Sequence, residues 1–508
     1  MNLREKILAI FSRKGKTIRE ISSETNIPKS TVQYHKQMAI KRIENTGTLF
    51  WETGQGNEFL LRLMIAAIYV FCIKAGTGAG RLKEFLKLLE LKSYLTTSES
   101  CILKIIKRIE ALILEYKKVT EDEIYSKAEE ISLILGVDET WFNKMYLVCQ
   151  ELSSGYLFVE AESEQRDAIT WDKKINKIFK SLPQAVIKYF VSDREKALIN
   201  LATVIYEVPS VADCFHFKHC INKLLCISLA SKLRWSSIKL TEAYKTRKSE
   251  LINEFSEKYA HIQFHTDLYA ESMSNISQIL HPFTQGNQTN TVELAQRDIY
   301  DELSNIEQVI DSCKINDKYK LFTKAEKQVP DVVSVIGLWH QLKEETLSEM
   351  KVPEQTKQWF KDYLLPKTYW ELAIEKTKYK ASKERLKGEL KKCCEINQDK
   401  EIPTEMANIE SNSLKQDAIN LCRKFQRASS QVEGRNGHLA LINHNQRSFD
   451  KNRLKVLTAV HNFDTRGTDG KTPAERLFGK KVKFKSIFEY ILENYNDLPR
   501  PRNRKPTN

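Results

Sequence analysis

Three acidic residues stand out, each attached to a segment able to draw it away from water. The run Ile131-Ser-Leu-Ile-Leu-Gly136-Val-Asp138-Glu139 is aliphatic and β-branched, and predicts a buried central strand ending in carboxylates, with Gly136 as its one weak former. Burying such a group is costly unless a cation compensates it, and a divalent metal with oxygen ligands suits best. A second run, Ala185-Val-Ile-Lys-Tyr-Phe-Val-Ser-Asp193, delivers another strand-end aspartate ahead of a helix-like segment from Arg194. Far down the chain, Glu433 lies on the helical pattern Ser429-Ser-Gln-Val-Glu433-Gly-Arg435-Asn436-Gly-His438. Two strand-end aspartates and a helix-borne glutamate form a ligand set for two-metal phosphoryl transfer. Taken singly, strand-end acids also serve as helix caps or ion-pair partners.

The elements that must position these acids belong to a 508-residue chain, long enough for about three or four compact units. A formal charge of +14 favours a polyanionic partner, although a solvated basic surface would give the same total. The ten cysteines include no CxxC pair, which argues against a disulfide framework or zinc ribbon and for a reducing compartment. No apolar core follows Met1, and the most apolar stretch, Phe59 to Ile73, carries Arg62 and reads as a buried helix too short for a bilayer.

Residues 1–45 read as a helix-turn-helix DNA-binding unit. Thr17–Thr25 forms the first helix, Asn26–Pro28 the turn and Lys29–Lys36 the second, with Ile18, Ile21, Ile27 and Val32 inward. Lys29, Ser30, Thr31, Gln33, Tyr34 and Lys36 are then the DNA-facing side chains. Residues 54–118 predict a second helical unit, either another helix-turn-helix with Ser98 as cap or a dimerisation module, followed by a charged connector from Val119. Residues 129–230 give the order β-β-β-α-β-α, an antiparallel meander turning into parallel crossovers, which is the ribonuclease H-like order. A fifth strand then runs into a helix through Asp213-Cys-Phe-His216-Phe-Lys-His219-Cys220, whose spacing fits no common zinc site. Residues 231–427 predict an all-helical insertion. It carries a basic run from Lys376 to Lys392 that is either a solvated helix face or a DNA track. Residues 428–480 return to the catalytic unit, and 481–508 form a basic tail ending in Pro499-Arg-Pro-Arg-Asn-Arg-Lys-Pro506.

The motifs Val137-Asp138-Glu-Thr, Val191-Ser192-Asp193-Arg, Asp213-x-x-His216 and Val432-Glu433-Gly-Arg435-Asn436-Gly together resemble the DDE transposases of prokaryotic insertion sequences. The closing block, Asn443-His-Asn-Gln-Arg447 and His461-Asn-Phe463 through Thr472-Pro473 to Phe478-Gly, is similar to the ends of such enzymes. The likeness covers the catalytic region, loosely the amino-terminal reader, and fades in the insertion. A helical insertion before the glutamate and the acid-x-x-His motif are shared with hAT and Mutator-like groups. The resemblance implies Asp138, Asp193 and Glu433 as catalytic ligands of two Mg²⁺ ions, replaceable by Mn²⁺. It implies His216 as an active-site neighbour, with Asp213 beside it in that motif. Of the adjacent pair Asp138 and Glu139, only the inward-facing one can bind metal, and Asp138 is chosen because it follows the apolar run and aligns with the motif. Arg435 and Asn436 are neighbours that either orient a DNA phosphate or pack at a helix turn.

The implied reaction is metal-dependent cleavage at transposon ends and strand transfer into target DNA. The DNA partners are terminal inverted repeats and a target, engaged by a homodimer or higher assembly, with no membrane. The implied location is the nucleoid region of a prokaryotic cytoplasm. Two rival readings remain open, a ribonuclease H-like nuclease that never joins strands and a transposase-derived DNA-binding regulator.

Overall fold

The computed structural model describes residues 16–46, 53–91, 94–315, 319–396, 408–446, 450–479, 485–495 and 497–499, most of them helical. At the amino end, α1 (Ile18–Thr25) and α2 (Lys29–Thr46) are joined by a short turn. Thr17 and Glu20 form a reciprocal capping box, and Asn26 ends α1 in the left-handed conformation at φ 60°. Ile21, Ile27 and Val32 make a small core with Ile18 packed against it. On the outside, Lys29, Ser30, Gln33 and Tyr34 are exposed and Thr31 and Lys36 half-buried.

Next come α3 (Gly54–Lys74), α4 (Ala79–Leu88) and α5 (Glu99–Lys127). By length and composition α3 could cross a membrane, so the expectation that this stretch is too short is corrected. Its Leu60, Met64, Ile65 and Ile68 are nonetheless buried in a core shared with α5. The connector expected from Val119 is instead the interior of α5, and the boundary at residue 118 falls inside that helix. The apolar stripe through Ile105, Ile109, Leu112 and Tyr116 continues to Ile124 and Tyr125, and its packing outweighs the local charge. Ser98 precedes α5, but its side chain makes no capping bond.

The central unit is built from β1 (Ile131–Trp141), β2 (Met145–Glu151), β3 (Leu157–Glu162), α6 (Ala168–Phe179), β4 (Ala185–Ser192), α7 (Lys196–Ile205) and β5 (Ser210–Ala212), in the order expected. The strands form one mixed sheet ordered β3-β2-β1-β4-β5, in which β2 runs against both neighbours and β1, β4 and β5 are parallel. β1 is therefore paired on both sides, as its aliphatic composition requires. Alternation splits its side chains between two cores. Leu133, Leu135 and Val137 join α3, α5 and α6 on one face, and Ile134 joins the inserted helices on the other.

The insertion comprises α8 (Cys214–Thr246), α9 (Ser249–Ile279), a ribbon of β6 (Phe283–Thr284) and β7 (Gln288–Thr289), α10 (Val292–Ser312), α11 (Tyr319–Glu326) and α12 (Val329–Glu349). α13 (Glu354–Trp359) then runs through Phe360–Leu364 into α14 (Leu365–Lys376), and α15 (Lys380–Ile396) and α16 (Asn408–Arg423) follow. Two expectations are corrected here. α8 passes residue 231 without a break, so no boundary falls there, and the β6–β7 ribbon means that the insertion is not all-helical. Gly286 turns the ribbon at φ 87°, where an added Cβ would stand 2.6 Å from the Cys393 backbone nitrogen.

The chain returns to the sheet through α17 (Ser430–Gln446), α18 (Lys451–Phe463) and α19 (Pro473–Phe478), and α20 (Ile487–Asn494) closes it. The basic tail expected from residue 481 is corrected over this helix. Ile487 and Ile491 are fully buried, the Tyr116 hydroxyl donates to the Lys485 carbonyl, and the Thr96 amide donates to the Pro499 carbonyl. Residues 500–508 lie outside the described residues.

Gly136 governs how α17 meets the sheet. A Cβ built there would stand 2.6 Å from a methyl of buried Leu152 and 3.2 Å from a methyl of Val432, the residue before Glu433. Only glycine lets the helix approach this closely. Gly136→Val is expected to lower stability by about 1–3 kcal/mol through overpacking. Chemical denaturation checks it, and a midpoint equal to wild type would show that the contact is not tight.

Candidate active site

The pleat of β1 decides which acid faces α17. Asp138 shares a face with Gly136, while Glu139 points to the other side and accepts a hydrogen bond from Trp171 Nε1 at 3.4 Å. Gly136 pairs with Val191 across the parallel β1–β4 ladder, so Asp193, two residues further on, sits level with Asp138. The next residue, Arg194, adopts φ 71°, a left-handed conformation rare for a long side chain. Its guanidinium donates to the Ser210 carbonyl at 3.2 Å and pairs with Asp331 of α12 at 2.7 Å, which holds this turn in place. Asp193 itself accepts from the Glu195 amide at 3.1 Å.

Glu433 enters from the first turn of α17. One turn on, Asn436 donates from Nδ2 to Asp138 Oδ2 at 3.0 Å, and its own buried Oδ1 has no partner among the described residues. His216, in the first turn of α8, brings Nε2 to 3.5 Å from Glu433 Oε1, a charge contact too long and too poorly aligned for a good hydrogen bond. The electrostatics follow from this crowding. Burial first, then the charges of Glu433 and Asp193, push Asp138 up to about 7. His216 is raised above its ordinary value, chiefly by Glu433 and further by Asp213, Asp138 and Asp193, against the effect of its burial. Glu433 is correspondingly lowered, by His216 first and also by the charge of His219.

Asp213 does a different job from the acids around it. It is 1% exposed, and its Oδ1 caps α8 by accepting from the Phe215 amide at 2.6 Å. Its Oδ2 accepts from the Ser429 amide at 2.9 Å and from the Ser429 hydroxyl. The Cys214 amide adds a bond to the Arg427 carbonyl at 2.9 Å. One carboxylate thus joins the starts of the two helices that carry His216 and Glu433. Arg435 likewise turns away from the cleft and packs. Its guanidinium makes two 2.8 Å bonds to Glu160 of β3, and both side chains are almost fully buried. Thr458 of α18 adds a third bond to the same carboxylate at 2.7 Å.

The structure therefore brings Asp138, Asp193, Glu433, His216 and Asn436 toward the carboxyl ends of β1 and β4 and leaves Asp213 and Arg435 in supporting positions. Among the described residues no three acid, histidine or cysteine side chains close around a single ion. The donor set still suits Mg²⁺, which keeps several waters and takes only one or two carboxylates. Asp138 is half-buried beside the charges of Glu433 and Asp193, and the Asn436 Oδ1 is partnerless among the described residues, so a dication here would offset both the burial and the charges that raise Asp138. Sequence reasoning missed the Glu160–Arg435 pair and the Arg194–Asp331 contact. The first had a signal, because a glutamate inside the apolar run Leu157-Phe-Val-Glu160 needs a buried cationic partner. The second, between an exposed-looking arginine and a helix-start aspartate, had none.

These features define an α/β protein with a central mixed sheet, a strand-edge carboxylate cluster and a large, mainly helical insertion. DUF6399, a family of unknown function, matches residues 360–507, which take in α14 to α20 and so the Glu433 helix. No curated protein matches the chain.

Burial pushes the Glu160 carboxyl up, but the Arg435 charge and the bonds from Arg435 and Thr458 outweigh it, leaving the pKa below its ordinary value. The stability this confers is full above the ordinary glutamate pKa and is lost as pH falls through the lowered one. Glu160→Gln is expected to cost about 3–5 kcal/mol at neutral pH by stranding Arg435, and to flatten the acid limb of the stability profile. Denaturant titrations at neutral and acidic pH read both, and the double variant Glu160→Leu/Arg435→Met should recover much of the loss.

Proposed function

We propose that the protein is a DDE-type transposase that cleaves DNA at element ends and joins the freed ends to target DNA. The observation that supports this reading is that Asp138 and Asp193 sit level at two adjacent strands, while α17, whose Asn436 bonds Asp138 from 298 positions away, brings Glu433 against His216. The strand order β3-β2-β1-β4-β5 with β2 reversed supports a ribonuclease H-like catalytic unit, and the sharp α1–α2 pair with its exposed polar face supports a helix-turn-helix reader of terminal repeats. A prokaryotic cytoplasm and a dimeric or larger synaptic complex belong to the same proposal.

In this reading Asp138, Asp193 and Glu433 hold two Mg²⁺ ions. When bound, these ions supply an activated water or 3′-hydroxyl and neutralise charge at the leaving oxygen. The chain's own groups prepare the site. Asn436 fixes one oxygen of Asp138, the Asp213 clamp sets Glu433 against the sheet, and His216 brings a ring nitrogen to 3.5 Å from a Glu433 carboxylate oxygen. No protein nucleophile is required.

The test uses labelled duplexes carrying the sequences that flank the gene, with Mg²⁺ and purified full-length protein. Joined product is expected, and Asp138→Asn, Asp193→Asn and Glu433→Gln should each lose roughly a hundredfold or more, since metal stabilisation is worth several kcal/mol. Cleavage without joining would favour a nuclease, and duplex binding without any metal-dependent cleavage a regulator. In a metal chelator, Asp138→Asn should melt roughly 2 °C higher than wild type because one repelling charge is gone. Mg²⁺ should raise the melting temperature of wild type and not of the variant.

A further inference from the structure

Beside the acid cluster runs a groove of about 750 Å³ between the start of α8, the end of α9 and the turn joining α14 to α15. Among the described residues its lining holds Lys218, Lys376, Lys378 and Arg427 and no acidic residue. Such a field suits a polyanion. Lys376 and Lys378 make no ion pair among the described residues, whereas Lys387, Lys391 and Lys392, further along the same basic run, are each paired with a glutamate of their own helix. Of the basic run, Lys376 and Lys378 are the lysines that line the groove.

Aromatic rings stand among these cations. Tyr379 is 80% exposed on the turn, and Phe215, 45% exposed, stacks on His219 with the rings 6° from parallel. Exposed aromatic rings beside a basic groove suit bases that are not paired to a second strand, because a duplex hides its base faces. The groove also leads to the chemistry. Ser430, at the start of α17, lines it three residues before Glu433, and His219 is close enough to lower the Glu433 pKa.

We infer that this groove binds an unpaired DNA strand, with Tyr379 and the Phe215–His219 stack receiving bases and Lys376, Lys378 and Lys218 receiving phosphates, and feeds that strand to the acid cluster. The inference rests on the functional reading above for what happens at the acids, but not for the binding itself.

The experiment is equilibrium binding of a fluorescent oligothymidine of about 20 nucleotides to the full-length protein in chelator at fixed salt, with a duplex of equal length alongside. Tyr379→Ala and Lys378→Glu, both at exposed positions, are each expected to weaken single-strand binding roughly tenfold, the usual scale for losing a stacked base or a phosphate contact. Lys378→Glu should also make binding less salt-dependent, by about 0.7 in the log–log slope. Duplex binding should change less than twofold. Unchanged single-strand binding in both variants, or an equal loss for duplex and single strand, overturns the inference. Because no divalent ion is present, a protein that passes this test but fails to cleave labelled DNA with Mg²⁺ keeps the groove and loses the proposed reaction.

Discussion

The Asp213 carboxylate is the constraint on which the rest of the site depends. Two helices start within a few ångströms of each other, one continuing directly from β5 and one returning after the whole insertion. Helix starts present unsatisfied amides, and bringing two of them together in a buried place needs an acceptor able to serve both. Asp213 does so with one oxygen for each helix. The carboxylate draws His216 and Glu433 into contact without entering the cleft itself. Its negative charge is balanced by two sets of backbone dipoles, an arrangement that a neutral residue could not reproduce.

A second layer stiffens this arrangement from behind. The Glu160–Arg435 pair ties α17 to β3, and the same carboxylate reaches Thr458 of α18, so three elements meet on one buried charge. Gly136 removes the last obstacle by letting Val432 rest on the β1 backbone. The strand-edge acids then sit in a frame with little freedom to relax. That frame keeps Asp138 half-buried beside the charges of Glu433 and Asp193, and burial and charges together push its pKa up.

Much of this was legible in the chain. The aliphatic run before Asp138, the alternating β and α periods, and the helical pattern around Glu433 predicted the strands, their order and the helix that carries Glu433, because those signals are local. What escaped was set by distant packing. Val119–Ile124 reads as a connector only until its apolar stripe is seen to extend that of α5, and Ile487 and Ile491 read as part of a basic tail until they are buried. Which of Asp138 and Glu139 faces the returning helix depends on the face of β1 that the helix covers: Asn436 meets Asp138 on one side and Trp171 meets Glu139 on the other. Arg435, weighed as a phosphate contact or a packing group, is fixed by a glutamate 275 positions earlier.

The separation between β1 and α17 has a consequence for how the molecule is made. The hydrogen bond from Asn436 to Asp138 spans 298 positions, and every inserted helix lies between its two ends. A ribosome releases the sheet and the insertion well before the segment that completes the acid cluster. Until then one face of β1 lacks its cover at Gly136, and the strand-edge aspartates stand without their third member. Nascent chains, and chains that stop before α17, therefore lack both the Asn436 partner of Asp138 and the second helix start that Asp213 joins.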